Sequence, residues 1–301
     1  MKISIIIPSF NQGPFLEETL ESIFAQENVD REILVFDGGS TDQTVEVLRR
    51  HDARLAYWES TPDRGQTHAI NKGLARMSGD VWMYLNSDDL LVPGALSAVK
   101  RIFADPSIMW IGGSCENFDA SGSIGGIRVG PAERMKDYLA PWNRPTPYVF
   151  PFSGSCYMRR EVFEQIGYFE ETYSYSMDME FYSRAIFEGH FQPTITDEVL
   201  AKWRWHPESK TMSRGIAYAF RSDEVRIAQR YARYLSVAER DELNSEVGLQ
   251  LKWLPVRESM WLLDQRRRKE ALSVIMGAAR KAPALLMFRP WLGALRRICI
   301  S

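Results

Sequence analysis

Short apolar runs alternate with segments of helical periodicity along the first part of the chain. Residues 3–7 (ISIII) form an apolar, β-branched run that predicts a buried strand, and Leu16 and Leu20 then recur at helical spacing. The plan repeats, with a strand predicted over 33–36 and a helix over 42–50. The chain therefore opens with two consecutive strand-helix units.

Two further units follow directly. Apolar runs predict strands over 55–60 and 81–85, and apolar residues at helical spacing predict helices over 66–77 and 93–105. Strands that alternate with helices form parallel sheets covered by those helices. The pattern therefore predicts an α/β fold, with a mostly parallel, twisted sheet and helices on both faces.

The regular alternation ends after a strand-like run at 109–113. Residues 114–150 are rich in Gly, Ser, Pro and aromatic residues, and we expect loops around a cleft there. Helical periodicity returns later, and from about Gly215 the chain has a helical pattern throughout. These changes predict a larger α/β domain over 1–212 and a C-terminal helical extension over 213–301.

Composition and charge narrow the class of protein. Apolar residues make up 45% of the chain and charged residues 25%, which excludes disordered and fibrous classes. The net charge of -2 argues against nucleic-acid binding by the whole protein. Residues 257–301 nevertheless carry ten Lys or Arg and three Asp or Glu, a balance of +7 that leaves -9 for the rest.

The number of cysteines and the lengths of the apolar runs indicate the cellular location of the protein. The three cysteines, Cys115, Cys156 and Cys299, are far apart and form no CxxC pair, so we expect neither a disulfide framework nor a thiolate zinc site. The opening run is ended by Pro8 and is too short for a signal peptide, and no window reaches the roughly 18 to 20 apolar residues of a membrane span. We expect a cytoplasmic protein.

Polar residues stand directly after the predicted strands. Ligands of open α/β sheets bind beyond the carboxyl ends of the strands, where this chain has Ser9, Asn11, Asp37, Asp88 and Asp89. Asp37 is either a ligand contact or a turn former in DGGSTD. The adjacent acids Asp88 and Asp89 suit a hard divalent cation, Mg²⁺ or Mn²⁺, with an N-cap of the next helix as the alternative.

Five segments stand in an order and spacing that together resemble one family. They are SIIIPSFN, DGGSTD, DRGQTHAINKGL, GDVWMYLNSDD and MDME. The set resembles the family 2 glycosyltransferases of GT-A fold over roughly residues 1–210. The resemblance implies transfer of a sugar from a nucleotide diphosphate donor, expected to be a UDP-sugar, with inversion at the anomeric carbon.

The resemblance also implies roles for individual residues in donor binding. Asp88 would supply the metal carboxylate, Asn86 stands where the first acid of the Asp-x-Asp motif often is, and Asp89 is a possible second contact. Asp37 would bind the base or ribose, and Asp63 and Arg64 would line the nucleotide pocket. The full set of expected nucleotide-binding residues is Pro8, Ser9, Asn11, Asp37, Asp63, Arg64 and Ser87.

The catalytic base is expected in SYSMDMEFYSR. Asp178 stands at the base position of the family, and Met177 replaces the common Glu. A base is needed because an acceptor hydroxyl is a poor nucleophile until its proton is removed. The alternative for Asp178 and the neighbouring Glu180 is a pair of acids in the first turn of a helix.

A second polar element is WRWHPESKTMS. By resemblance, His206 is expected to contact the pyrophosphate or the metal, with Ser209 and Lys210 nearby and the Lys offsetting the charge of the leaving group.

Acceptor contacts are expected from the aromatic middle of the chain, against the alternative that these residues pack in a core. They are Trp142, Tyr148, Phe152 and Tyr175.

The basic C-terminal segment mixes Leu, Ile, Met and Trp with clusters of Arg and Lys. This composition is typical of helices that lie on an anionic membrane surface. The alternative is an amphipathic cap packed on the protein or on a second copy in a homodimer. A lipid-linked saccharide acceptor would favour membrane contact over the cap. The protein would then lie at the inner face of the cell membrane.

From the residues and the resemblance together we expect a metal-dependent glycosyltransferase of hexosyltransferase type that acts in surface polysaccharide or glycolipid synthesis. Inversion is implied by the resemblance alone. Two alternatives from other classes remain. A nucleotidyltransferase of sugar phosphates also uses acidic metal ligands on an α/β sheet, but it usually has a Gly-rich basic loop where this chain has PSFNQG. A non-catalytic scaffold would bind a nucleotide sugar without turnover.

Overall fold

The computed structural model describes residues 1–143, 149–207, 209–210 and 217–300. The chain forms two compact units: the first comprises Met1–Glu133 and Trp142–Trp205, and the second comprises Arg134–Pro141 and His206–Ser301. The domain boundary predicted between 212 and 213 falls outside the described residues and stays a prediction.

Nine strands form one sheet in the described part of the first unit. They are β1 (Ile3–Ser9), β2 (Arg31–Asp37), β3 (Tyr57–Ser60), β4 (Val81–Tyr84), β5 (Leu90–Leu91), β6 (Trp110–Asp119), β7 (Gly122–Ile127), β8 (Cys156–Arg159) and β9 (Thr194–Arg204).

The strand order is β3-β2-β1-β4-β8-β6-β9-β5, with β7 paired to β6. Strands β3, β2, β1 and β4 are parallel neighbours, and β6 is parallel to β9. Strand β8 enters between β4 and β6 antiparallel to both, and β5 and β7 form antiparallel pairs at the periphery. The predicted mostly parallel sheet is confirmed, with antiparallel pairs in its second half.

Six α-helices belong to the described part of this unit. They are α1 (Gly13–Phe24), α2 (Thr44–Arg50), α3 (Gln66–Arg76), α4 (Ala95–Ile102), α5 (Arg160–Ile166) and α6 (Met177–Phe187).

The two faces of the sheet are both buried, because alternate strand residues point to opposite sides. Ile5 and Met83 pack in a core with Leu16 and Leu20 of α1. On the other face α3 lies so close to β1 that a Cβ on Gly73 would meet a side-chain atom of Ile6. The expected covering of both faces by helices is confirmed.

The expectation of loops over 114–150 was wrong for its first part. Strand β6 continues to Asp119, and residues Gly122–Ile127 form a hairpin strand with it. Strand β7 has exposed residues and a Gly-rich sequence, so it lacks the apolar alternation by which a half-buried strand is recognised. Strands β8 and β9 also escaped prediction.

The second unit is helical, as the pattern from Gly215 onward predicts, although Gly215 itself lies outside the described residues. It contains α7 (Ala217–Tyr231), α8 (Val237–Asp264), α9 (Arg268–Lys281) and α10 (Arg289–Ile300). The last three helices share one core of buried residues, Ala271, Ile275 and Trp291 among them. Among the described residues no helix combines the length and the apolarity that a bilayer crossing requires.

A buried carboxylate fixes the edge of the sheet opposite the carboxyl ends of the parallel strands. Glu32, 7% exposed, lies 2.8 Å from the Lys2 ammonium and accepts hydrogen bonds from the hydroxyls of Ser4 (2.5 Å) and Ser78 (2.6 Å). Burial alone would raise the pKa of this carboxyl, but these bonds outweigh it and lower the pKa from 4.5 to about 2. The network ties β1 and β2 to the loop before β4.

Replacing Glu32 with Gln is expected to lower the free energy of unfolding at neutral pH by about 2 kcal/mol, because buried donors lose their charged partner. The pKa of Glu32 is lower in the folded state. Its stabilisation is therefore complete above pH 4.5 and disappears as the pH falls toward 2. Urea denaturation of both proteins across this range measures the effect. The exposed Glu27→Gln variant is the control, and a difference that is independent of pH would contradict the prediction.

Candidate active site

The carboxyl ends of three parallel strands bring the predicted polar residues to one edge of the sheet. Ser9 and Asp37 are paired neighbours at the ends of β1 and β2, and Gly38 donates its N–H to the Ser9 carbonyl at 2.8 Å. Asn86 and Asp88 follow β4, which is the other neighbour of β1. The sheet therefore brings Ser9, Asp37, Asn86 and Asp88 to the same edge.

Asp37 is 1% exposed and is surrounded by donors of its own chain. Its carboxylate accepts from the N–H groups of Gly39 (3.2 Å) and Ser40 (2.9 Å) and from the hydroxyls of Ser40 (2.5 Å) and Ser60 (2.6 Å). A carboxylate offers about four acceptor positions. These are the contacts of the turn-forming alternative, and the predicted contact with a nucleotide stays a prediction.

The loop after β1 and the loop after β2 are bonded to each other. Asn11, at a positive φ of 52°, accepts from the N–H of Thr41 at 3.0 Å and donates its own N–H to the Ser40 hydroxyl at 2.6 Å. Asp42, which the sequence analysis did not single out, accepts from the N–H of Gly13 at 2.9 Å and so joins the start of α1. These bonds hold the loop after β1, the loop after β2 and the start of α1 together.

Phe10 is a second residue that the sequence analysis missed. It is 59% exposed, and a Cβ placed on Gly38 would lie 3.3 Å from its ring and 3.3 Å from the carboxylate of Asp63. The ring and the carboxylate therefore flank Gly38 beside Asp37. Ser9 has a buried hydroxyl without a hydrogen-bond partner among the described residues, which is the kind of group that a ligand satisfies.

Arg64 lies at the surface and forms an ion pair with a carboxylate. Its guanidinium forms two bonds with Glu171, Nε at 2.7 Å and Nη2 at 2.8 Å. The guanidinium therefore joins the loop after β3 to the segment before α6. Its predicted place in the nucleotide pocket stays a prediction.

The turn from Asn86 to Asp89 is held from three directions. The Thr19 hydroxyl of α1 lies 3.0 Å from the Ser87 carbonyl and 2.9 Å from the Asp89 carbonyl. Gln66, the first residue of α3, donates to the Asn86 side-chain oxygen at 2.7 Å. From β9 the Arg204 guanidinium donates to the Asp88 carbonyl at 2.7 Å. These contacts fix the backbone that carries Asp88.

The two acids of this turn have different surroundings. Asp89 is fully buried and accepts from the Arg204 N–H at 3.0 Å and the Asn86 side-chain amide at 2.9 Å. Asp88 is half-buried. Burial, and next the charge of Asp88, raise the pKa of Asp89 well above its ordinary value. Asp88 is the accessible carboxylate of the two, and its oxygens are of the kind that a divalent cation such as Mg²⁺ or Mn²⁺ prefers.

Asp178 lies near the same turn. It is in the first turn of α6, whose first residue, Met177, accepts a bond from the Thr67 hydroxyl of α3 at 2.7 Å. Burial raises the pKa of Tyr84, the last residue of β4, and the charges of Asp178 and Asp89 raise it further. The start of α3 and the end of β4 therefore bring the predicted base into the neighbourhood of the predicted metal carboxylate.

Glu180 has a different environment from Asp178. It is fully buried and pairs with Arg184 at 2.9 Å, and the same guanidinium donates to the carbonyls of Ile166 and Tyr168 at 2.7 Å each. The pair fixes the loop that leads into α6.

His206, Ser209 and Lys210 belong to the second unit. The Ser209 N–H donates to the His206 carbonyl at 3.0 Å, so the segment turns directly after the first unit ends. Their expected roles at the diphosphate stay predictions.

The aromatic residues expected to contact the acceptor have different positions. Phe152 stacks on Trp203 with ring centroids 5.3 Å apart, and Trp203 contacts Trp205 at 5.2 Å. All three are half-buried, and Trp203 is next to Arg204, which donates to the Asp88 carbonyl. Trp142 and Tyr175 are half-buried, whereas Tyr148 lies outside the described residues.

Another cluster of possible ligands lies away from this edge. Donor atoms of Glu17, Glu21 and His51 lie within 4.8 Å of one another on α1 and the end of α2. Arg50 and Arg54 already pair with the two acids at 2.6 and 3.2 Å. The cluster contains none of the predicted metal ligands.

The family model for glycosyl transferase family 2 matches residues 4–167 of the chain. The chain belongs to this family. The family resemblance seen in the sequence is confirmed. A relative from Campylobacter jejuni, named GalNAc(5)-diNAcBac-PP-undecaprenol beta-1,3-glucosyltransferase, is 36% identical over 104 residues, 33% of this chain and 34% of the relative. The chain spans between 34% and 53% of the length of the first curated relatives that it matches.

Solved structures show the same GT-A fold. S. aureus TarS 1-349 in complex with UDP-GlcNAc has a TM-score of 0.59 and 18% identity, with 99% of this chain and 90% of that chain covered. The mannosyltransferase PcManGT from Pyrobaculum calidifontis, in complex with GDP-Man and Mn²⁺, has a TM-score of 0.54 and 19% identity, with 95% and 78% covered.

Replacing Arg204 with Leu is expected to lower the free energy of unfolding by about 2 kcal/mol, because its 12% exposed side chain holds both the Asp88 carbonyl and Glu18. Urea denaturation measures the loss. The matched control is Arg101→Leu, which removes an exposed pair with Glu198 and is expected to change stability by less than about 0.5 kcal/mol. Equal losses in both variants would contradict the structural role of Arg204.

Proposed function

We propose that this family 2 enzyme transfers a sugar from a nucleoside diphosphate donor, a UDP-sugar, to a saccharide hydroxyl with inversion at the anomeric carbon. The observation that carries the proposal is that the turn with Asp88 and the helix start with Asp178 both lie beside the start of α3. Both segments are also close to Tyr84 at the end of β4. The reaction needs one carboxylate to hold the cation that binds the leaving diphosphate, and a second carboxylate to accept the proton of the acceptor hydroxyl.

The nucleotide is proposed to bind beyond β1, β2 and β3. Phe10 offers an exposed ring for stacking on the base, Asp63 offers acceptor oxygens for its N–H or ribose hydroxyl groups, and the Ser9 hydroxyl offers a donor. Asp37, with its acceptor positions in use, acts by holding the turn in place. UDP is proposed in line with TarS, of the same fold, which was solved with UDP-GlcNAc. GDP is the alternative, because PcManGT, also of this fold, was solved with GDP-Man.

The diphosphate is proposed to lie against Asp88 with Mn²⁺ or Mg²⁺. Asp88 would hold the cation, with His206 as a further candidate ligand and Lys210 as a further positive charge. When bound, such a cation offsets the negative charge that develops on a departing diphosphate. Asp89 keeps the turn in place from its buried position, and PcManGT, of the same fold, was solved with Mn²⁺.

Asp178 is proposed as the general base. Its carboxylate is half-buried in the first turn of α6, and it removes the proton of the acceptor hydroxyl as that oxygen attacks the anomeric carbon. The bond between the anomeric carbon and the diphosphate oxygen breaks as the new bond forms on the opposite face. A single base and no covalent intermediate accord with inversion.

The acceptor is proposed to be a lipid-linked saccharide in surface polysaccharide or glycolipid synthesis. The Campylobacter jejuni relative is named for a substrate of that kind. The half-buried rings of Phe152, Trp203 and Trp205 suit the apolar faces of sugar rings. We propose a cytoplasmic location, with which the three free cysteines agree.

Donor binding is tested by thermal melting with UDP, GDP, ADP and CDP, each with and without Mn²⁺ or Mg²⁺. UDP with the cation is expected to stabilise the protein most, by about 2.7 kcal/mol at a hundred times its Kd. Asp88→Asn is expected to lose the part that depends on the cation, whereas Asp30→Asn, an exposed acid at the other edge of the sheet, keeps it. An equal response to all four nucleotides would overturn the choice of donor.

Replacing Asp178 with Asn is expected to reduce UDP release in the presence of acceptor by at least about a hundredfold, because the hydroxyl proton has no base. The thermal response to UDP and Mn²⁺ is expected to remain. Glu188→Gln, at the other end of α6, is the control. A variant with full turnover would exclude Asp178 as the base, and a wild-type protein that binds UDP-sugars without any turnover would favour the scaffold.

A further inference from the structure

The outer sides of α9 and α10 form a basic surface with apolar residues in it. Lys269, Leu272, Met276 and Arg280 are exposed and recur at the spacing of one face of α9. Leu292 and Arg296 are exposed in the same way on α10. The exposed fractions of Leu272, Met276 and Leu292 are 41, 40 and 54%. We call this set the α9-α10 surface.

The α9-α10 surface is separate from the apolar sides of the two helices that build the core. Ala271 and Ile275 of α9 pack with Trp291 and Ile298 of α10 and with α8. The Arg268 guanidinium donates to the Cys299 carbonyl at 2.9 Å, so the start of α9 lies beside the end of α10 and the helices are antiparallel. The unit's own core therefore uses the apolar stripe, and the exposed apolar residues are additional to it.

The charge of this part of the unit is predominantly positive. Between residues 264 and 297, nine Lys or Arg are exposed against two exposed acids, Asp264 and Glu270. Glu270 is already paired with Arg267 at 2.6 Å. A surface with this excess of cations attracts polyanions and repels a second copy of itself, because a twofold interface would place like charges opposite each other.

We propose that the α9-α10 surface docks on an anionic membrane. The cations would contact lipid phosphates, and Leu272, Met276 and Leu292 would enter the headgroup layer beside them. A nucleic acid would use the cations and leave the apolar side chains in water, whereas a lipid surface uses both. The charge of the surface and its exposed apolar residues together select the membrane.

The packing of α9 and α10 also determines the kind of docking. Since their apolar stripe is buried in the unit's core, the helices do not lie down in the membrane as a free amphipathic helix does. Binding to the membrane is mainly electrostatic, so we expect it to weaken as the salt concentration rises. Because the surface is already folded, we expect the helix content to stay unchanged on binding. Docking of this kind would keep the enzyme beside a lipid-linked acceptor, but it does not depend on the proposed reaction.

The test is co-sedimentation of the full chain with vesicles of phosphatidylcholine alone or with about 30% phosphatidylglycerol, without donor or acceptor. Binding is expected for the anionic vesicles alone, with a loss of roughly tenfold or more as NaCl rises from about 0.1 to about 0.5 M. The triple variant Lys269→Glu, Arg280→Glu and Arg296→Glu is expected to lose binding by at least roughly tenfold. The double variant Leu272→Ser and Met276→Ser is expected to lose several-fold.

Matched controls separate this surface from the net charge and from general stickiness. Arg49→Glu, Lys100→Glu and Arg128→Glu change the charge equally at exposed positions of the first unit, and Leu249→Ser with Leu251→Ser removes two exposed leucines of α8. Circular dichroism confirms that each variant is folded. Equal vesicle binding by the triple variant and its control would overturn the proposal. A dimer in light scattering that the triple variant dissociates would assign the surface to a second copy.

Discussion

The burial of Asp89 is the constraint on which the candidate active-site edge depends. A fully buried carboxylate must find hydrogen bonds inside the protein, and Asp89 finds them in the Arg204 N–H and the Asn86 side chain. The bond from Arg204 joins a turn after β4 to strand β9, which lies far along the chain. Thr19 of α1 closes the same turn from another side. Asp88 is consequently held on a rigid backbone although it follows a short strand.

Rigidity of this kind has a cost in stability at neutral pH. The pKa of Asp89 is raised by burial and then by Asp88, so the folded protein binds its proton more tightly than the unfolded chain does. A group with a raised acid pKa stabilises the fold less as the pH rises through that range. Functional sites commonly carry such unfavourable charges, and the surrounding structure must compensate for them. Here Arg204 compensates in part, because its charge and its backbone bond lower the pKa of Asp89.

The sequence predicted the elements that its local pattern describes. β1, β2 and β4 are apolar runs, α1 and α3 have helical periodicity, and all five lie where the pattern put them. β8 and β9 are different, because each is defined by long-range pairing within the second half of the sheet. Arg204 was missed for the same reason, since its contacts with Asp88 and Glu18 exist only after β9 has been placed. Asp42 and Phe10 could have been found from the sequence, because both stand in loops that follow a predicted strand.

Pairs of acids close together in the chain show what cannot be predicted from the sequence alone. Asp178 and Glu180 are two residues apart on a helix and point about 200° apart, so one is half-buried at the helix start and the other pairs with Arg184 in the interior. This separation follows from helix geometry once a helix is assumed. Asp88 and Asp89 have no such rule, because a turn has no fixed period. The buried acid, Asp89, is bonded by the Arg204 N–H from a distant strand as well as by Asn86 of its own turn, and the first of these donors has no local signal.

The contrast between Asp88 and Asp89 connects ligand binding to the stability of the turn. The negative charge of Asp88 is one of the causes that raise the pKa of Asp89. A positive charge that approaches Asp88 therefore lowers the pKa of Asp89 and favours its ionised form. Ionised Asp89 accepts stronger hydrogen bonds from Asn86 and Arg204 than its neutral form does. The charge at Asp88 and the hydrogen bonds of Asp89 are therefore coupled within the turn that carries both residues.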